Sequence, residues 1–358
     1  MKIGIIGLPQ TGKKTLFELI TKHKLTENEL AGNKPVSGLA EIIDPRFEKL
    51  VELYNPESEA RARLNVEFIP KLEKGSFAKE EVLKALDGAD VLCHIVRDFQ
   101  DEAVYHINGS VDSKRDIDEI NSELIFNDLA FIDKRLDRLN QTLKRTSEEK
   151  MMKERDVLAK MKAQLEAELP LRLLTLTPDD MKYLVSYPLL TLKELIVVLN
   201  VSEADLKNTA KLEAYKKEHE KQRIFWMQVS VKVESEIAAF ESADDRNTFL
   251  AELGIKEPAV DTLKRTCIEA LNLISFFGVG TDEVKQWTIP RGASAPQAAG
   301  AIHSDLEKGF IRAEVMKYRD LVDVEGDEKK LQETGKVYLK GKDYIVEDGD
   351  ILSIRFNV

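Results

Sequence analysis

Ile3-Gly4-Ile5-Ile6-Gly7-Leu8-Pro9-Gln10-Thr11-Gly12-Lys13-Lys14-Thr15 decides how the rest of this chain is read. Ile3 to Ile6 is an apolar run suited to a short buried strand, Gly7 to Gly12 is a turn, and Thr15 to Leu25 has helical composition. A Gly-x-x-x-x-Gly-Lys turn between a strand and a helix is a phosphate cradle. Glycines let backbone N–H groups turn inward, the helix start adds its dipole, and Lys13 supplies a point charge to the outer phosphates. The alternative is a plain glycine turn with an exposed lysine.

Working outward, Ala89 to Val96 and Leu195 to Leu199 read as two further buried strands, which predicts a parallel-type sheet with helices on both faces. Between them, residues 112–187 break the α/β rhythm with a segment rich in Glu, Lys, Arg and Leu. Leu129, Ile132, Leu136, Leu139 and Leu143 recur at steps of three and four, and Leu158, Met161 and Leu165 repeat the spacing beyond a polar turn near Thr146 to Glu149. The spacing predicts an antiparallel helical hairpin, either a solvated protrusion or an arm for a partner. After Phe277 the pattern changes again. Trp287–Ile289, Lys336–Leu339, Tyr344–Val346 and Ile351–Phe356 read as strands, with Asp348-Gly349 as a hairpin turn joining the last two, and a helix from about Pro296 to Ile302 crossing them.

Composition narrows the function. The 358 residues carry 53 basic and 64 acidic side chains, a net charge of -11, so any nucleic-acid contact must be local. Cys93 and Cys267 lie far apart in apolar surroundings, which gives neither a disulfide framework nor a cysteine zinc site and fits a reducing cytoplasm. The opening apolar run is too short for a signal peptide or a membrane span, so no membrane association is expected.

The stretch Gly7 to Thr15 is joined by a highly specific C-terminal match. Gly292-Ala293-Ser294-Ala295-Pro296-Gln297-Ala298-Ala299-Gly300, Ile302 to Val315, Lys342 to Asp350 and the ending Arg355-Phe356-Asn357-Val358 together resemble the YchF/Obg-like ATPase family along essentially the whole chain. The resemblance implies a fold in three parts. These are an α/β P-loop nucleotide-binding domain (1–111 and 188–277), an inserted helical coiled-coil hairpin (112–187), and a C-terminal α+β β-grasp TGS domain (278–358). It also implies ATP as ligand, with GTP as the weaker alternative, a ribosome or RNA partner, a cytoplasmic location and a monomer.

The nucleotide site is expected at Pro9, Gln10, Thr11, Gly12, Lys13, Lys14 and Thr15, with Asn200, Val201, Glu203, Ser230, Val231 and Lys232. Asn200-Val201-Ser202-Glu203 stands where guanine-specific relatives carry Asn-Lys-x-Asp. The final Asp there accepts from guanine's ring N–H and exocyclic amine, so Glu203 and Val201 remove the guanine reading. An ordinary helix start capped by Ser202 would give the same four residues. Ser230-Val231-Lys232 is similar to the family's Ser-Ala-Lys base loop, or is a plain loop after a strand.

The chain departs from the family around the metal. The hydroxyl residue that ligates Mg²⁺ is replaced by Lys14, leaving Thr15 at best, and the family's Asp-x-x-Gly falls near Phe68-Ile69-Pro70-Lys71, without its acid or its glycine. Pro35 to Gly38 and Asp44-Pro45-Arg46 survive from the first switch, without an evident metal-facing threonine. Either Lys14 swings to solvent and Mg²⁺ is held weakly through water, or its charge takes over part of the metal's neutralisation of the β- and γ-phosphates, and dependence on Mg²⁺ is expected to be weakened. His106 matches the family's catalytic histidine and could orient water toward the γ-phosphate, or it could be an inherited loop residue no longer used. The expected activity is a slow or vestigial ATPase; the alternatives are a non-hydrolysing scaffold and a GTP-binding regulator. His94 and His303 have no ligand spacing and receive no role.

Overall fold

The computed structural model describes residues 1–32, 34–69 and 75–357. Its strands, in chain order, are β1 (Lys2–Ile6), β2 (Val36–Glu41), β3 (Ser58–Ala60), β4 (Arg63–Phe68), β5 (Val91–Asp98), β6 (Glu194–Val201), β7 (Ile224–Val229), β8 (Leu273–Gly278), β9 (Glu283–Pro290), β10 (Phe310–Lys317), β11 (Tyr338–Lys340) and β12 (Asp350–Phe356). Among the described residues they form two six-stranded sheets, in the orders β2-β4-β1-β5-β6-β7 and β11-β10-β12-β8-β9-β3. The chain divides into two compact units, Met1–Ala40 with Asn65–Leu263, and Glu41–Leu64 with Lys264–Val358.

In the first unit, β1 lies between β4 and β5, parallel to both, with Ile3 opposite Val66 on one side and Val91 on the other. β5, β6 and β7 continue in parallel register. The apolar runs follow from this position, because a central parallel strand is covered on both faces: Ile3, Ile5 and Ile6, and likewise Leu195 through Leu199, are all buried. The helix Lys13–Thr21 presents Leu16, Phe17 and Ile20 to that core. Cys93 and Cys267 are both buried, and burial pushes the Cys93 thiol up to about 12, so it stays a neutral apolar filler.

The expected hairpin is present as helices Ser113–Leu143 and Glu149–Glu166. Ile132, Leu139, Leu158, Met161 and Leu165 form its seam, with Leu129 and Leu136 packed alongside. The hairpin is continuous with the sheet layer rather than set apart at residue 112. Ile117, Ile120 and Leu124 belong to the core that also holds Leu92, Val96 and Leu199. Farther along the same helix, buried Asp128 accepts hydrogen bonds from the backbone N–H groups of Leu190 and Thr191 at 2.9 and 2.7 Å.

In the second unit the expected boundary after residue 277 falls inside β8, which pairs antiparallel with β9 and parallel with β12. Residues 41–64 join this unit because Phe47 and Leu50, on the helix Pro45–Tyr54, pack with Phe277, Val284 and Ile351. The crossing helix is found at Ala295–Ile302, opened by a capping box of Ser294 and Gln297. The Asp-Gly hairpin is a correction. Tyr344 to Val346 supply only an isolated bridge, Ile345 to Ser294, and β12 pairs instead with β10 and β8. With β10 and β8 on its two edges, β12 offers no place for a hairpin mate. The turn is held by carboxylates: Asp350 accepts from the N–H of Glu347 at 2.9 Å and from the Tyr344 hydroxyl at 2.6 Å, while Asp348 accepts from the N–H of Ser275 at 3.0 Å.

Candidate functional site: a phosphate-loop cleft

The turn after β1 has the backbone that its glycines allow. Gly7 has φ 142° and Gly12 has φ 98°, both in the region that side chains disfavour. A Cβ on Gly7 would stand 2.3 Å from the Ile95 carbonyl oxygen, and one on Gly12 would stand 2.6 Å from Asn200 Nδ2. Both glycines are therefore required sterically as well as conformationally. Gln10 also adopts a left-handed φ of 59°, which bends the loop over the helix start. The Thr11 hydroxyl turns inward and donates to the Leu8 carbonyl at 3.0 Å, so Thr11 shapes the loop from within.

Lys13 is only 5% exposed, and its ammonium donates to the Ile69 carbonyl at 3.3 Å. Burial lowers its pKa from 10.5 to about 7. Among the described residues this amine has no carboxylate partner, and an incoming anion would supply one. His94, buried on β5, is pushed down to about 3, first by burial and then by the Lys13 charge, which keeps it neutral.

Asn200, next to last in β6, ties two loops together. Its Nδ2 donates to the Thr11 carbonyl at 3.0 Å and its Oδ1 accepts from the N–H of Val231 at 3.0 Å. The phosphate loop and the Ser230-Val231-Lys232 loop are thereby held to one side chain, itself buried. Ser202 accepts from the N–H of Asp205 at 3.3 Å and so caps a turn rather than the expected helix start, the next helix running Ala210–Glu218.

These elements surround a cleft of about 1290 Å³. Of the anticipated residues, Pro9, Gln10, Gly12, Lys13, Lys14, Thr15, Asn200, Val201, Glu203, Ser230, Val231 and Lys232 line it together. Thr11 lies behind the wall. His106 does not line the cleft either. It is 4% exposed, its Nε2 lies 3.0 Å from Asp116 Oδ2, and its Nδ1 accepts from the N–H of Asn108 at 3.2 Å. The helix that begins at Ser113 carries Asp116 back under the loop and draws the imidazole inward, while its neighbours Tyr105 and Ile107 stay exposed.

One wall was missed in the sequence. Phe99, Gln100, Asp101, Ala103 and Val104 also line the cleft. Arg97, 1% exposed, holds this loop by donating to the carbonyls of Phe99, Asp101 and Val104 at 3.1, 3.2 and 2.9 Å. The available signal was an arginine at the end of an otherwise apolar buried strand, where a guanidinium must find carbonyl partners.

Among the described residues, those at the expected metal positions do not fit a magnesium ion. At the position after the phosphate-loop lysine stands Lys14, a cation. Phe68, at the end of β4, is buried with its ring 5.5 Å from Phe17. Pro70 and Lys71 of the expected acid-glycine segment lie outside the described residues. Glu67 is occupied by the Ser37 hydroxyl at 2.6 Å and by Lys2 at 3.3 Å, and Asp44 caps the helix Pro45–Tyr54. Among the described residues no group of three His, Cys, Asp or Glu side chains could hold a metal.

The family model YchF-GTPase_C, described as a protein of unknown function (DUF933), matches residues 273–357. The chain is 37% identical to the ribosome-binding ATPase YchF of Bacillus subtilis (strain 168), covering 99% of each. To the Obg-like ATPase 1 of Oryza sativa subsp. japonica it is 36% identical, over 100% of this chain and 92% of that one. The solved YchF GTPase of Schizosaccharomyces pombe is similar at 31% identity with a TM-score of 0.85, over 99% of this chain and 97% of that chain. A GTP-binding protein from Pyrococcus horikoshii OT3 shares the fold at 20% identity and a TM-score of 0.61. With such identity sustained from end to end, the chain belongs to the YchF/Obg-like ATPase family.

Proposed function

We propose that this protein binds adenine nucleotide in the phosphate-loop cleft and works as a slow ATPase associated with the ribosome. The observation that carries the reading is the convergence of the strained phosphate loop, buried Lys13 and the Asn200 tie on one cleft. An anionic ligand there would meet the backbone amides of the loop and buried Lys13, which has no carboxylate partner among the described residues. ATP is favoured over GTP because Glu203 and Val201 occupy the positions from which an Asp and a Lys would read guanine. The ribosome enters from the relatives, whose names describe ribosome-binding ATPases. A cytoplasmic location follows from that partner. Among the described residues no helix is long and apolar enough to cross a membrane.

A second reading, a nucleotide-sensing scaffold without hydrolysis, is favoured by the place of His106 against Asp116, outside the cleft lining. A general base must come within hydrogen-bond reach of the water it activates. Phosphate release from ATP and from GTP, with and without ribosomes, separates the readings. The ATPase reading expects ribosome-stimulated release from ATP that falls at least tenfold in His106→Ala. Background release in every condition would leave the scaffold.

A further inference from the structure

In phosphate-loop enzymes the metal bridges β- and γ-phosphate oxygens and offsets their charge, held by a hydroxyl at the helix start and an acid near the end of a neighbouring strand. Here both positions are changed in a mutually consistent way. Lys14 occupies the first turn of the helix Lys13–Thr21 and lines the cleft. Its nearest carboxylate, Glu18, is 3.9 Å away, and Glu18 already accepts from the N–H of Leu25 at 2.9 Å and lies 3.8 Å from Lys24. Lys14 is therefore weakly engaged, and four freely rotating side-chain bonds let its ammonium swing toward the cleft. Where the acid would stand, β4 ends in Phe68, which packs on Phe17. The acids that do line the cleft, Asp101 and Glu203, sit with the Arg97-held loop and after β6, and Asp101 Oδ1 already accepts from the N–H of Ala103 at 2.9 Å.

We infer that this cleft takes its nucleotide free of divalent metal, with the Lys14 ammonium set on the β- and γ-phosphate oxygens in the place of magnesium. The inference rests on the nucleotide reading above and sharpens it, since it names the ligand species as the metal-free polyphosphate. A cation fixed on the protein has two consequences. It replaces part of the charge compensation that a metal would bring. It also repels a divalent ion approaching the same oxygens, so metal-bound nucleotide is disfavoured.

The test is calorimetric titration of the full chain with ATP, once in EDTA and once with magnesium in excess, for the wild type, Lys14→Ser and Lys14→Arg. The wild type is expected to bind ATP in EDTA at least as tightly as with magnesium. Lys14→Ser should weaken binding in EDTA about tenfold and bind better with magnesium than without, while Lys14→Arg retains the wild-type pattern. Because Lys14 is exposed, all three proteins should share one melting temperature without nucleotide. A tenfold or greater gain on adding magnesium to the wild type, or indifference of EDTA binding to Lys14→Ser, overturns the inference and leaves nucleotide binding standing. Absence of binding in both conditions overturns the nucleotide reading itself, and the metal inference with it.

Discussion

Two parts of the site have been kept to different standards. In one, Gly7, Gly12, Lys13 and Asn200 interlock so closely that an added methyl at either glycine would collide with a carbonyl or an amide 2.3 to 2.6 Å away. Among the groups that would serve hydrolysis, by contrast, a lysine stands at the metal-ligand position, a phenylalanine ends β4, and His106, outside the cleft lining, is turned to Asp116. Binding a phosphate needs only preorganised amides and charge. Transferring one quickly also draws on a metal, an acid and a positioned base that act together. The contrast separates the two requirements within a single fold, and it predicts that substitutions on the binding side will matter most.

The largest effect is expected from Lys13→Met. ATP affinity should fall about a hundredfold, because the one buried cation of the loop is lost. Stability should move the opposite way. Burial holds Lys13 to about 7 in the folded chain against 10.5 for an ordinary lysine, so between those values the unfolded chain binds more protons. The wild type therefore gains stability as pH rises through that window and loses it as pH falls. Denaturant titrations from pH 7 to about 10 should show this slope in the wild type and lose the Lys13 share of it in Lys13→Met. By the same linkage, ATP binding at about pH 8.5 should take up a proton, visible as a dependence of the binding heat on buffer ionisation.

A smaller effect, shared between binding and stability, is expected from Asn200→Ala. It leaves the Thr11 carbonyl and the Val231 N–H without their partner, a cost of about 1–3 kcal/mol in unfolding free energy. Since both loops lean on that side chain, ATP affinity should fall about tenfold through lost alignment. If affinity drops while stability is untouched, Asn200 acts on the ligand directly rather than through the two loops.

How much of this was legible in the sequence varies with the kind of interaction. Three adjacent strands of the first sheet, β1, β5 and β6, were readable because buried parallel strands need nearly continuous apolar runs; β2 and β4 beside them carry alternating sequence and were not read. The helical hairpin was readable from the three-and-four spacing of its seam. The second sheet was less so. β3 is Ser58-Glu59-Ala60, with no strand character of its own, and exists through its pairing with β9. The hairpin signal at Asp348-Gly349 lost to two strands that already occupied the edges of β12. In the site, motif residues were found because backbone geometry demands them at fixed spacing. The Arg97-held wall and the inward turn of His106 depend on contacts to residues from several places later to a helix folding back, which local pattern does not encode.

The central claim is that the loop after β1 still holds a polyphosphate. Titration of the purified protein with a non-hydrolysable ATP analogue, followed by calorimetry and by thermal melting, tests it most directly. One saturable site per chain is expected, with a melting temperature that rises with ligand concentration. No heat and no shift at millimolar analogue, in EDTA and in magnesium alike, would contradict it.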